Sequence, residues 1–92
     1  MAFEIETTHR FEKSVKRCVR RGLDINALKD VLRLLAEAGK LPAQYKQHKL
    51  SGDQTGKWEC HIQPDWLLIW EQHDNTMTLL MLDTGTHSDL FK

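Results

Sequence analysis

Apolar residues recur every third or fourth position between Phe11 and Leu35 and every second position from Trp58 onward. This change of period limits the fold more than any other feature of the chain. In the first stretch Phe11, Val15, Cys18 and Val19 fall at i, i+4, i+7 and i+8, and Leu28, Val31, Leu32 and Leu35 repeat the spacing. Each segment is therefore a helix with one apolar stripe. Thr7 or Thr8 is placed to cap the first and Asp24 the second, while Gly22 and Gly39 end them. The short link between them predicts a helical hairpin. From Lys57 the pattern is that of strands, with Trp58, Cys60 and Ile62 on one face and Lys57, Glu59 and His61 on the other. Two more strands, Trp66 to Glu71 and Met77 to Asp83, follow turns at Pro64-Asp65 and His73-Asp74-Asn75. Phe3 and Ile5 alternate with Glu4 and Glu6 in a short first strand, and Ser88 is predicted to cap a last turn from Asp89 to Phe91. Leu41 to Gly56 reads as a long surface loop. The expected architecture is one α+β domain over residues 1–92, in the order β-α-α-β-β-β, with the N-terminal strand and helical hairpin packed on an antiparallel sheet.

A chain of 92 residues that is 40% hydrophobic buries roughly 60–65% of its unfolded surface. That supports one thin core but not two lobes around an enclosed cleft, so a functional site should be shallow and open. The longest apolar run, Trp66 to Trp70, is far short of the roughly 20 residues of a membrane helix. No charged-then-apolar leader opens the chain. These features predict a cytoplasmic protein without a membrane partner. Cys18 and Cys60 lie in no metal-like spacing and read as small buried hydrophobes in a reducing compartment.

A net charge of zero argues against a simple nucleic-acid binder, yet the zero conceals a separation. Residues 1–50 carry 11 basic and 6 acidic side chains, and residues 51–92 carry 2 and 7. Between His9 and Arg21, six cations (Arg10, Lys13, Lys16, Arg17, Arg20 and Arg21) oppose only Glu12. Such a run is either a solvated helix face or a patch for phosphates or an acidic partner.

Five histidines are an enrichment. His48, His61 and His87 lie in or beside irregular segments, whereas His9 and His73 read as exposed and uninvolved. Imidazole both accepts and donates a proton near neutral pH. Two or three imidazoles around one phosphodiester can take the proton of a 2′-hydroxyl and protonate the departing 5′-oxygen, with cations on the phosphate oxygens. No cofactor is needed for that. A zinc site from the same histidines with Asp65 is the competing use, but neither an HxxxH nor a close Cys-His cluster is present. Exposed aromatic rings stack on unpaired bases. Trp58 is in register with Cys60 and Ile62 and reads as core, which leaves Phe91 as the stacking candidate or, alternatively, as a plug for the terminal turn.

The run Glu59-Cys60-His61-Ile62-Gln63-Pro64-Asp65-Trp66-Leu67-Leu68-Ile69-Trp70, followed by Thr84-Gly85-Thr86-His87-Ser88-Asp89-Leu90-Phe91, resembles the signature of the YafQ group of bacterial toxins, in the RelE/ParE superfamily. Upstream, Tyr45-Lys46-Gln47-His48-Lys49-Leu50-Ser51-Gly52 is similar to its loop motif, and the likeness spans nearly the whole chain. The resemblance implies a RelE-like, microbial-ribonuclease type of fold and the toxin of a type II toxin-antitoxin pair. Such a toxin enters the ribosomal A site, beside 16S rRNA, and cleaves the mRNA there without a metal. It further implies a cognate antitoxin similar to DinJ, whose acidic or flexible segment covers the basic face.

Carried over residue by residue, the family site falls on His48, His61, Asp65, Trp66, His87 and Phe91. The resemblance makes His87 the general acid and His48 the first choice for general base, with Asp65 its rival. His61 would then orient or stabilise the phosphate, Phe91 would stack on the nucleotide, and Trp66, counted with it among the RNA-binding residues, would support the site from beneath. Lys46 and Lys49 of the loop motif, with Lys57, are the expected RNA-binding cations. Lys57 stands where relatives often carry an Arg, and Asp83 stands where they carry a base, so Asp83 would repel phosphate if it faces the site. ParE-like toxins share the fold without the histidine set and are not nucleases. They and a plain RNA-binding protein are the alternative readings.

Overall fold

The computed structural model describes residues 2–91. Strand β1 (Glu4–Thr7) leads into helix α1 (His9–Arg20), and α2 (Ile25–Ala38) completes the hairpin. Strands β2 (His48–Lys49), β3 (Trp58–Gln63), β4 (Trp66–His73) and β5 (Thr78–Gly85) follow, and then the single turn α3 (His87–Leu90). The five strands form one sheet in the order β1-β5-β4-β3-β2. No helix among the described residues is long and apolar enough to cross a membrane.

The caps follow the sequence. The Thr8 side chain accepts the Phe11 N–H at 3.0 Å, and Asp24 accepts that of Asn26 at 2.9 Å. Gly39 ends α2 at φ 68°, where a Cβ would stand 2.8 Å from the Phe3 ring and from Gln72 Nε2. Both the backbone angle and the space exclude a larger residue there.

The sheet differs from expectation in two ways. β1 pairs with β5 in parallel, Glu4 opposite Thr78 and Thr7 opposite Met81, so the sheet is mixed rather than wholly antiparallel. Alternation tells which face a side chain takes, not which neighbour its strand finds. Within the segment read as loop, β2 pairs with β3, His48 opposite Glu59 and Lys49 opposite Trp58. A strand of two residues carries no period to detect.

Phe11 and Cys18 of α1 and Leu28, Val31 and Leu35 of α2 cover Cys60, Ile62, Trp66, Leu68, Trp70 and Met81 on one face of the sheet. Trp58 stacks on Trp70, ring centroids 6.4 Å apart. Both cysteines are buried and free, and burial pushes the Cys60 thiol up to about 12. Val19, expected on the α1 stripe, is 49% exposed. One residue past Cys18 is about 100° further round the helix, beyond the reach of the sheet.

α1 lies along β5. Thr8 Oγ1 donates to the Met81 carbonyl at 3.0 Å, Ser14 Oγ to Asp83 Oδ1 at 2.5 Å and Arg17 Nη2 to the Thr84 carbonyl at 3.4 Å. Between β4 and β5 the register moves from Trp70 opposite Met81 to Ile69 opposite Asp83, leaving Leu82 as the extra residue of a β-bulge. Beyond it Asp83 and Gly85 stand level with Ile69 and Leu67, and these in turn with Glu59 and His61. This is the face the two long helices do not cover, and the candidate site is built on it.

Candidate active site

α3 is a single turn, too short to hold itself together. Thr86 caps it, accepting the Asp89 N–H at 3.2 Å while the Thr86 N–H donates to Asp89 Oδ2 at 3.0 Å. The cap is therefore Thr86 rather than Ser88. The Thr-x-x-Asp spacing satisfies two backbone groups at once, which a serine two residues later cannot do. Arg21 of the α1 cap adds two hydrogen bonds to the Asp89 carboxylate, 2.6 and 3.2 Å, and Arg17 approaches it at 3.8 Å. A Cβ at Gly85 would lie 2.7 Å from Asp89 Oδ2, so the bare backbone is what lets α3 fold back onto the sheet.

The Arg21 hydrogen bond, and then the Thr86 N–H, hold Asp89 well below the usual carboxylate range. A carboxylate depressed in the folded state adds stability above its unfolded value, about 4. The contribution is lost as pH falls from there through the folded value. Arg21→Ala is thus expected to lower stability more at neutral pH than in acid, by urea denaturation on either side of pH 4. Equal losses in both conditions would mean that the ion pair contributes nothing.

What α3 presents is His87. Asp65, from the β3–β4 turn, accepts His87 Nδ1–H at 2.8 Å and the His87 backbone N–H at 3.1 Å on the same oxygen. These bonds from the ring and then the backbone of His87 hold Asp65 below its ordinary value. The His61 ring lies 5.8 Å from that of His87, and the Phe91 ring 6.5 Å from it. His61 Nδ1 meets the Pro64 carbonyl at 3.3 Å. A carbonyl and an ionised carboxylate only accept, so in both rings the proton sits on Nδ1. Neither Nε2 has a hydrogen-bond partner among the described residues. His87, Asp65 and Phe91 are all exposed, so the site is open as expected.

His48 stands across β3, with Nδ1 donating to the Lys46 carbonyl at 2.7 Å and Nε2 3.1 Å from Glu59 Oε1. It presents no free ring nitrogen. Lys46 lines a cleft of about 360 Å³ together with Tyr45, His61 and Pro64. Lys49 does not join them, because its ammonium lies 5.3 Å over the Trp58 ring, on the opposite side of the sheet from His61. Alternation within β2 puts it there once His48 faces Glu59. Trp66 is 2% exposed and donates Nε1–H to Thr84 Oγ1 at 2.9 Å, which places its ring in the core rather than on the open surface of the site. Lys57 takes the predicted face but is turned to Gln54 at 2.9 Å, in a separate recess of about 130 Å³ with Arg10, Asp83 and Leu90. Asp83 also takes this face, and its charge is met by Arg10 at 3.1 Å and by the Ser14 hydroxyl.

Two features escaped the sequence. Glu59, read only as a strand residue, is a 5% exposed carboxylate against His48. Arg17 and Arg21, counted as part of a surface patch, anchor α3. The strand alternation that set Glu59 beside His61 was a signal for the first, but its partner lay on the undetected β2. Among the described residues no group of three His, Cys, Asp or Glu is arranged to hold a metal ion. What the arrangement offers is two open imidazole nitrogens about one exposed surface, with an aromatic ring beside them.

Known proteins share this arrangement of chain. The family model of the bacterial toxin of type II toxin-antitoxin systems, YafQ, matches residues 3–92. The mRNA interferase toxin YafQ of Escherichia coli is 38% identical over 89 residues, 96% of this chain and 95% of the relative. The crystal structure of E. coli YafQ is similar with a TM-score of 0.90 at 37% identity, covering 98% of this chain and 99% of that one. The E. coli DinJ-YafQ toxin-antitoxin complex contains a chain similar at 0.89 and 38% identity, with 100% of each covered. With the family model spanning all but the first two residues and the same fold in its solved members, this chain belongs to the YafQ family of type II toxins.

Proposed function

We propose that this chain is an mRNA endoribonuclease, the toxin of a type II toxin-antitoxin pair, that cuts the message in the ribosomal A site by metal-free acid-base catalysis. The observation that carries the reading is the His61–His87 pair, two imidazoles 5.8 Å apart with Nδ1 tethered and Nε2 open, beside Phe91. His61 Nε2 takes the proton of the 2′-hydroxyl, the 2′-oxygen attacks the phosphorus, and the bond to the 5′-oxygen breaks. His87, protonated on both nitrogens, gives its Nε2 proton to that leaving oxygen, and a 2′,3′-cyclic phosphate remains on the upstream fragment. This reading moves the base from His48, whose two nitrogens are engaged, and from Asp65, whose depressed carboxylate is a weak proton acceptor and instead fixes the His87 ring. Phe91 stacks on a base, and Lys46 places a cation along the cleft that leads to His61.

The mRNA interferase name of the E. coli relative supports this activity, and the DinJ-YafQ complex supports an antitoxin partner. On this chain the antitoxin segment would be acidic and would lie along α1, where a groove of about 480 Å³ is lined by His9, Arg10, Lys13, Arg17 and Arg20. The ribosome is part of the reading because so open a site has few groups to bend RNA. In-line geometry is a large share of the barrier, and 16S rRNA with the codon in the A site supplies it. The test is cleavage of message on programmed ribosomes in Mg2+ buffer, with and without the transition-metal chelator phenanthroline, and with the cuts mapped. Wild type is expected to cut within the A-site codon and to leave naked RNA nearly intact. If it binds ribosomes and leaves the message whole, the nuclease reading gives way to a ParE-like or purely binding role. If phenanthroline, which leaves the ribosomal Mg2+ in place, abolishes cutting, the metal-free mechanism is wrong.

A further inference from the structure

We infer that Glu59 is a positioning residue, a buried carboxylate that seats His48 and, through it, the loop that carries Lys46; the inference rests on the nuclease reading above. Glu59 lies on β3 between Lys57 and His61, on the face that bears the site, and is 5% exposed. Its Oε2 is buried without a partner among the described residues. A carboxylate is costly to hold in that state, and one kept there needs a compensating contact. Oε1 has one, His48 Nε2 at 3.1 Å, and His48 Nδ1–H continues to the Lys46 carbonyl at 2.7 Å.

The other charged groups nearby are turned elsewhere. Lys57 donates to Gln54, His61 meets the Pro64 carbonyl, and Asp83, beyond Ile69 on the same face, is held by Arg10 and Ser14. His48 is the ionisable group left to the Glu59 carboxylate. Two lone pairs facing each other at 3.1 Å would repel, so a proton lies between Oε1 and Nε2. At its far end the chain of contacts grips a residue in a sparsely populated backbone region, Lys46 at φ 52°. A non-glycine residue stays there when its surroundings hold it. Lys46 shares the cleft with His61, so the Glu59–His48 brace sets where that wall of the site stands.

Two near-isosteric variants separate bracing from proton transfer. Glu59→Gln keeps the shape of the side chain without its charge, and His48→Gln keeps a donor for the Lys46 carbonyl without the ring. In cleavage of ribosome-bound message each is expected to raise KM about tenfold, the size of one charged contact. The value of kcat should stay within about threefold. The double variant should be no worse than either single one, since both cut the same chain of contacts. Nitrogen NMR of the His48 ring should shift in Glu59→Gln. Unchanged KM together with unchanged ring signals, with or without a lower Tm, would overturn the inference. So would a fall in kcat of about a hundredfold in His48→Gln at constant KM, the mark of a lost proton acceptor. If wild type leaves the message intact, the nuclease reading fails by itself. The ring signals and the amide exchange of residues 44–46 in Glu59→Gln then still decide whether Glu59 seats the loop.

Discussion

His87→Ala is expected to lower the rate of message cleavage by about 10²–10⁴-fold, the range over which a placed general acid acts. Ribosome binding should remain, because the ring is exposed and carries no part of the core. On the proposed mechanism the defect belongs in kcat, since a proton from the general acid is needed only as the bond to the 5′-oxygen breaks. Asp65→Asn is the companion variant. The amide oxygen can still accept His87 Nδ1–H, so the ring keeps its place while the facing charge is lost, and the rate should fall less than in His87→Ala. A substrate with a sulfur at the leaving 5′ position needs no proton from the enzyme. It should be cut by His87→Ala at nearly the wild-type rate. If it is cut no better than ordinary RNA, His87 is not the acid.

The largest effect on stability is expected at Trp66. Its ring is buried in the core, and its Nε1–H begins a relay through the Thr84 hydroxyl, which donates to the Leu67 carbonyl at 2.6 Å. Trp66→Ala should cost about 3–5 kcal/mol in urea denaturation, the usual range for a buried aromatic. A domain of this size has roughly 5–14 kcal/mol in all, so the variant sits near the limit of folding. Trp66→Phe keeps most of the ring, leaves the Thr84 hydroxyl one partner short, and should cost about 1–3 kcal/mol. Its cleavage rate per folded molecule should be close to wild type. If Trp66→Phe is as stable as wild type but cuts poorly, Trp66 meets RNA after all.

The chain's periodicities held much of this. Caps at Thr8, Asp24 and Gly39, the inward turn of Cys60 and Ile62, and the strands on either side of Pro64-Asp65 all follow from local chemistry, which acts over three or four residues. The grouping of His61, Asp65, His87 and Phe91 was legible only through the resemblance, because a strand, a turn and a last helical turn, whose two histidines are 26 residues apart in sequence, meet by sheet pairing. What stayed hidden depended on non-local partners. The parallel pairing of β1, the two residues of β2, and the bulge at Leu82 leave no mark on periodicity. The consequences were particular. Lys49 went to Trp58 instead of to the site, and Asp83 was met by Arg10 and Ser14 from a helix 69 to 73 residues away. Likewise no rule of local spacing joins Arg21 to Asp89, although that pair holds the turn on which His87 stands.

The parallel pairing of Glu4 with Thr78 also orders events in time. β1 leaves the ribosome that makes this protein before both long helices and three further strands, and its partner strand only after them. Until then the strand has no neighbour to bond, α1 has no β5 to lie along, and Asp89 has not been added to receive Arg21. Closing so long a loop is slow compared with forming a hairpin. Partial chains therefore carry the basic helix without the histidine pair. The histidine pair is thus assembled in one step, once β5 and α3 have emerged, rather than accumulated as the chain grows.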